Sequence, residues 1–377
     1  MLEDAGFLAE KEADSVNRKR VRKGLAPVRP IYTAEEGVAA MRQFRGLAYQ
    51  KRQVILPGIR IRYQDAGHIL GAGIVEIWLE EKGIKRKLVF SGDLGHAGAP
   101  ILRDPARICD ADIVLMESTY GDRLHRSREE TIRELGEIIR QARHDKGNIL
   151  IPAFAVGRSQ DLLYFMSKNR KAWGLDDWTV FLDSPMAIEA SNVYAKYAHL
   201  YDEEAARRWN RRGEGGGLLP HFQLSRTANQ SRAINRIRSG AIVLAGSGMC
   251  EGGRIKHHLK NNIWRSGCHV VIVGYQAEGT LGRRIVDGAK RIRLWGETIR
   301  VAATIHTVGG LSAHADQDGL VGWYQGFENR PPLYLVHGEA TAQEILRDRL
   351  KDELGVQVAL AEPGMSVDLA KPIRIAA

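Results

Sequence analysis

Short, continuous apolar runs recur along the chain, each followed by small or polar residues and then by a stretch with helical spacing. They are Lys87-Leu88-Val89-Phe90, Ile113-Val114-Leu115-Met116, Ile149-Leu150-Ile151-Pro152, Val180-Phe181-Leu182, Ile242-Val243-Leu244-Ala245, Val270-Val271-Ile272-Val273 and Leu333-Tyr334-Leu335-Val336. A run of this length without polar alternation predicts a strand buried on both faces, as in sheets covered by helices. Such strands alternating with helices predict an α/β protein. In open α/β sheets the functional groups gather just past the carboxyl ends of the strands. Those positions here hold Asp93, Glu117, Asp183, Ser247 and His337.

Helices are expected between the runs. Ser127 and Glu130 have the spacing of a capping box, followed by Ile132, Leu135, Ile138 and Ile139 at helical intervals. Ser159 is expected to cap a helix running through residues 161–165, and residues 254–260 to open another after a glycine loop. The segment 211–217, with Gly213, Gly215, Gly216 and Gly217, predicts a loop. The basic run 17–23 reads as solvated surface.

With 377 residues the chain exceeds one ordinary core, so more than one domain is expected. Hydrophobic residues at 44% and charged residues at 27% fit a soluble globular protein. No apolar run approaches the ~18–20 residues of a membrane span. Met1-Leu2-Glu3-Asp4 carries acid where a secretory signal carries base, so a chain that is not exported is expected. Cys109, Cys250 and Cys268 form no CxxC pair, which predicts a reducing cytoplasm and leaves any metal to histidine and carboxylate. A formal net charge of +10 favours polyanionic partners, nucleic acid above all.

Histidines and carboxylates carry the candidate chemistry. His68 stands in Asp65-Ala66-Gly67-His68-Ile69-Leu70-Gly71-Ala72-Gly73 and Asp93 in Phe90-Ser91-Gly92-Asp93-Leu94-Gly95. Taken alone, the first reads as a turn residue and the second as a turn former or helix cap. His314 lies in Gly309-Gly310-Leu311-Ser312-Ala313-His314-Ala315-Asp316, and His337 in Leu335-Val336-His337-Gly338-Glu339 at the mouth of an expected buried strand. Histidine and aspartate are the ligands a hydrolytic zinc pair prefers.

Five segments together resemble the β-CASP branch of the metallo-β-lactamase superfamily, RNA-processing nucleases related to the pre-mRNA 3′-end endonuclease. They are 65–73, 90–95, Glu117-Ser118-Thr119-Tyr120-Gly121-Asp122, 311–316 and 335–339. Asp183-Ser184-Pro185-Met186-Ala187, Gly246-Ser247-Gly248-Met249 and Gly274-Tyr275-Gln276 strengthen the likeness, which runs over essentially the whole chain. The fold implied is a metallo-β-lactamase αββα sandwich with its first strands missing and an inserted Rossmann-like β-CASP domain. The expected bounds are 1–126 for the first part of the metallo-β-lactamase domain, 127–297 for the insertion and 298–377 for the return.

The resemblance implies a zinc-dependent RNA nuclease that hydrolyses phosphodiesters with a metal-bound hydroxide. It makes His68 a zinc ligand, Asp93 the bridge between two zincs and His337 a ligand of the second. Glu117 would hold the ring of His314, and His314 would face the scissile phosphate. His337 argues for RNA, because the DNA-repair branch carries an aliphatic residue in that motif. Single-stranded RNA is the expected partner, with no membrane, and a homodimer is among the oligomeric states left open. Arg158, Ser159, Ser184, Ser247, Gly248, Met249 and Arg254 sit at strand-to-helix turns and are expected to meet RNA phosphates. Tightening of those turns explains the glycines equally well. Lys256, His257 and His258 suggest an RNA-facing surface.

The family signature His-x-His-x-Asp-His is not in the chain, whose only histidines before Glu117 are His68 and His96. On the resemblance, roughly ninety residues are expected to precede Met1 in a complete member. Three ligand side chains fall short of what two four-coordinate zincs need, so weak zinc binding and impaired cleavage are expected. The alternatives are a small-molecule metallo-hydrolase, a non-catalytic RNA-binding or scaffold subunit, and a DNA nuclease.

Overall fold

A computed structural model describes residues 1–210 and 219–373. The loop expected at 211–217 lies outside the described residues. Met1–Ala48 is one unit and Tyr49–Ala377 the other.

The first unit consists of helices Leu2–Arg22 and Ala34–Met41. Thr33 and Glu36 close a reciprocal capping box at the start of the second. A Cβ at Gly6 would lie 2.5 Å from the Thr33 carbonyl, so the missing side chain is what lets the two helices meet. The basic run expected as solvated surface forms the exposed end of the first helix, where cations suit the helix dipole.

Among its described residues the second unit carries fifteen strands: β1 Gln53–Leu56, β2 Ile59–Asp65, β3 Gly73–Glu81, β4 Ile84–Phe90, β5 Ile113–Glu117, β6 Ile149–Pro152, β7 Thr179–Leu182, β8 Phe222–Leu224, β9 Ala241–Ala245, β10 His269–Ile272, β11 Arg291–Leu294, β12 Glu297–Arg300, β13 Thr304–Thr307, β14 Leu333–Val336 and β15 Val358–Leu360. One sheet has the order β1-β2-β3-β4-β5-β14-β15. Its first four strands form an antiparallel meander, and β4, β5, β14 and β15 pair parallel. Leu320 and Tyr324 of helix Gln317–Gln325, with Leu346 and Leu350 of helix Ala340–Leu354, join Ile74, Val89, Val114, Met116, Leu333 and Leu335 in a single core. This sheet and its helical layer supply one half of an αββα sandwich. The expectation of burial on both faces does not hold for β4, where Leu88 and Phe90 are less buried than Lys87 and Val89. One side of that strand faces water, as antiparallel neighbours allow.

The other large sheet has the order β13-β10-β6-β9-β7-β8, and every pairing is parallel. Alternate residues along its strands serve two different cores. Ile149, Ile151, Ile242, Leu244, Val271 and Val273 pack with helices Arg128–His144 and Arg158–Lys168. Leu150, Val243, Ala245, Val270 and Ile272 pack with helices Ile255–Asn262 and Leu281–Val286. A strand with a core on each side favours apolar residues at successive positions, which is why these runs are continuous in the sequence. Each such side chain contributes about 1.5–3 kcal/mol by leaving water. The chain stays in this Rossmann-like sheet through Thr307, beyond the bound expected at 297.

Candidate metal centre

Parallel pairing gathers the candidate side chains. Glu117 ends β5 and pairs with Val336 of β14, so Glu117 and His337 emerge side by side, with Asp93 just past the adjacent β4. The loop after β2 opens at the same edge, because two antiparallel steps return β2 to the direction of β4, and it carries His68. Residues 94–96 tie the remaining pieces together. The Gly95 amide donates to the Ala66 carbonyl at 2.7 Å, the Ala315 amide to Leu94 at 2.7 Å and the His96 amide to Ala313 at 3.2 Å. The loops of His68 and His314 are thus both bonded to the strip that follows Asp93. A Cβ at Gly95 would lie 2.1 Å from the Gly67 carbonyl, so only glycine allows this approach.

His68 Nε2 lies 3.8 Å from Asp93 Oδ2, and His337 Nδ1 lies 3.4 Å from Asp93 Oδ1. Both exceed a hydrogen bond. Two ligands on one tetrahedral cation with bonds of ~2.0–2.2 Å stand ~3.3–3.6 Å apart, a range that holds the His337 distance and that the His68 distance slightly exceeds. Asp93 turns a different oxygen to each histidine, the disposition a carboxylate shared by two cations would have. His68, Asp93 and His314 also place one ligand atom each within 4.8 Å of one another, and no other such group of three occurs among the described residues. The donor set suits a divalent cation of zinc type, and no cysteine takes part.

Behind this cluster stands Glu117, 1% exposed. Its carboxylate accepts from the Leu94 amide at 2.7 Å and the Thr119 amide at 3.3 Å, and lies 3.0 and 3.1 Å from His314 Nδ1. That bond leaves His314 Nε2 for the cluster. Burial pulls the His314 imidazole down, but the hydrogen bond and charge of Glu117 outweigh it and its pKa is raised. Burial likewise works against the Glu117 anion, and its bonds to His314, Thr119 and Leu94 hold it below its ordinary value. His68 is lowered, chiefly by burial and then by the nearby charge of His314. His337 has φ +51°, a left-handed backbone for a non-glycine residue, and its Nδ1 is 3.1 Å from Thr119 Oγ1. Strain of this kind persists where the surroundings hold it, typically at functional sites.

Several neighbours were not anticipated from the sequence. His125 Nε2 is 3.0 Å from the His314 carbonyl, and the His125 amide donates to Asp316. The Tyr120 ring packs edge-on against His125. The Leu70 amide donates to the Tyr194 hydroxyl, so a helix of the parallel-sheet domain steadies the His68 loop. A cavity beside His68 is lined by Arg128, Arg158, Asp161, Tyr194 and Ser312. Asp161 is pushed up to about 6 by burial, against the pull of Arg158 and Arg128.

The residues expected at RNA phosphates divide. Arg158 reaches this cavity but is itself buried and paired with Asp161 at 3.2 Å. Ser159 does not cap its helix. Gly157, at φ +80°, holds the cap position, and the Ser159 hydroxyl donates to the Phe154 carbonyl. Ser184 caps the helix that follows it through the Ala187 amide. Ser247 accepts from the Gly252 amide, Gly248 lies against the Phe154 ring, and the Met249 carbonyl accepts from Gly282. The turn carrying these three is therefore held by internal bonds. Arg254 donates to Asp183 Oδ1 at 2.6 Å and to the Ser225 and Arg226 carbonyls, so its guanidinium is committed inside the fold. His258 is fully buried, with its ring 2.6 Å from Asp183 and 2.9 Å from Asn235, and cannot belong to an RNA-facing surface.

Residues 159–285 match the Beta-Casp domain, and residues 298–361 match the Zn-dependent metallo-hydrolase RNA specificity domain. A ribonuclease of Thermus thermophilus is 36% identical over 338 residues, 90% of this chain and 76% of that protein. The transcription termination factor FttA of Thermococcus kodakarensis is 30% identical over 323 residues, and the chain spans 49% of its length. An RNase J-like protein of Methanocaldococcus jannaschii is 29% identical over 311 residues and covered to 70%. The chain belongs to the metallo-β-lactamase/β-CASP family of RNA nucleases.

Proposed function

We propose that the protein is a zinc-dependent ribonuclease that hydrolyses phosphodiester bonds of single-stranded RNA. The placement of Asp93 between His68 and His337, with His314 held by Glu117 beside it, carries this reading. His68, Asp93 and His337 would hold the cation, with Asp93 shared between two ions. A bound divalent cation supplies an acidified water and offsets negative charge on the phosphate. Glu117 orients His314 and raises its basicity, so His314 can hold a proton near neutral pH and direct it from Nε2 to the phosphate oxygens. Arg128, beside His68, would draw the anionic backbone toward that cavity. A cytoplasmic location belongs to the same proposal, as do the domain bounds 1–126, 127–297 and 298–377, with β13 of the last segment completing the parallel sheet of the second.

Three side chains are too few for two four-coordinate zincs, so this chain should hold zinc weakly and cleave slowly unless zinc is added. The test compares RNA and DNA single strands of one sequence at saturating zinc. RNA should be cut and DNA spared, and Asp93→Asn should abolish cutting. Hydrolysis of a small thioester with no cleavage of RNA would overturn the assignment.

A further inference from the structure

Residues 286–297 lie between the two matched domains and take no part in the site above. They build most of a hairpin in which Arg291 pairs with Arg300, Ile292 with Ile299, Arg293 with Thr298 and Leu294 with Glu297. Paired residues share a face of the ladder. Ile292 and Leu294 are buried in the core under the parallel sheet, so Arg291, Arg293 and Arg300 face the other way, and all three are exposed. Among the described residues none of the three has an acidic partner. Like charges side by side on one sheet face repel, a cost relieved when an anion binds.

The turn of the hairpin is Trp295-Gly296, with φ +48° and +87°. A two-residue loop with both φ values positive has the signature of a type I′ turn, whose first position ordinarily takes Asn, Asp or Gly. A tryptophan there carries a steric cost that its side chain must justify elsewhere. Trp295 is 54% exposed. His257 stacks on it at 4.4 Å, and the ammonium groups of Lys256 and Lys260 lie 5.7 and 5.9 Å from the ring centre. The acid at this spot is Glu297, paired with Lys260 at 2.6 Å.

We propose that this hairpin and the start of helix Ile255–Asn262 form a second binding surface, for single-stranded RNA, built from residues other than those of the hydrolytic cluster. A base stacks on the open part of Trp295, and Arg291, Arg293, Arg300 and Lys256 meet the flanking phosphates. An indole ringed by cations suits unpaired nucleotides, because a duplex hides its base faces while every unpaired base offers one. An acidic peptide would satisfy the charges and leave the indole without a partner. The inference shares with the nuclease reading only the kind of polymer bound, and binding and cleavage are measured separately.

The experiment is fluorescence anisotropy of a labelled single-stranded RNA on the whole protein, with no metal added so that no cleavage intervenes. Trp295→Ala should weaken binding roughly tenfold, the loss of one stacked base, and Trp295→Phe should restore most of it. Arg291→Gln with Arg293→Gln and Arg300→Gln should flatten the log–log salt slope by roughly two, at about 0.7 per phosphate contact. Unchanged affinity and slope in both hairpin variants would overturn the proposal. So would equal sensitivity of duplex RNA to Trp295→Ala, or equal competition by polyglutamate of the same charge, which would assign the surface to acidic proteins. Should Trp295→Ala melt early, Trp295→Phe and the arginine variant decide. Hairpin-dependent binding in a protein that never cuts RNA would refute the nuclease reading alone. Cleavage with wild-type binding in both variants would refute the hairpin alone.

Discussion

Replacing Glu117 with glutamine tests how the centre is organised without changing its shape. The carboxylate serves the Leu94 and Thr119 amides and the His314 ring. In Glu117→Gln the amide oxygen can keep the bonds from Leu94 and His314 Nδ1, while the NH2 group meets the Thr119 amide, so the negative charge behind the ring is lost and one hydrogen bond with it. A hydrogen bond to a charged group is worth about 1.5–3 kcal/mol, and partners behind metal-binding histidines change metal affinity or activity about 10–100-fold. Zinc affinity and any zinc-dependent cleavage should fall within that range. The His314 titration should also move. With the Glu117 charge gone, burial is opposed chiefly by the charge of Asp93, and the midpoint drops below that of the wild type. The sign for stability follows from both partners. Stability from the raised His314 is full below 6.5 and fades as pH rises through its native value, while that from the lowered Glu117 is full above 4.5 and fades as pH falls. The gap in stability between wild type and variant should therefore be widest between those two values. Imidazole NMR on metal-free protein and urea unfolding at several pH values measure both effects. A His314 midpoint at or above that of the wild type would refute the role given to Glu117.

Two other substitutions probe the frame. Asp183 is fully buried and receives Arg254, Ser231 and His258, each at 2.6 Å. Asp183→Ala strands two basic groups and should cost about 3–5 kcal/mol in urea unfolding. Burial opposes the Asp183 anion, but its hydrogen bonds hold it down to about 2, so its contribution is full above 3.8 and is lost as pH falls toward 2. A gap between wild type and Asp183→Asn that stays constant over that interval would contradict this. Gly95→Ala sets a methyl group against the Gly67 carbonyl and should cost about 1–3 kcal/mol while parting the loops of His68 and Asp93. Its zinc affinity should fall with its melting temperature, and unchanged zinc binding would show that the strip does not set the site.

What the sequence disclosed follows from where polar residues can sit. Strands β6, β9 and β10 have a core on each face, so their apolar runs stood out. Strands β2 and β3 were hidden because their buried positions include charge. Glu76 is fully buried, bonded to Arg62 and 3.0 Å from Lys87, and it breaks the apolar pattern of β3. The β11–β12 hairpin escaped notice because Trp-Gly is not a usual turn pair. Among functional residues, Asp93, Glu117 and His337 stood at strand ends, where parallel pairing brings them together. Arg254 and His258 looked like surface cations because their acceptor, Asp183, is more than seventy residues away in the chain. Nothing local marked Tyr194 or His125, whose contacts reach Leu70 and His314 only in the folded chain.

Zinc titration calorimetry of the metal-free chain, beside His68→Ala, Asp93→Ala and His337→Ala, tests the shared cation pocket most directly. Wild type should bind zinc, release it to a chelator during dialysis, and lose at least tenfold in affinity with each substitution. Zinc binding that is the same in wild type and Asp93→Ala would show that these side chains converge for some purpose other than holding a metal.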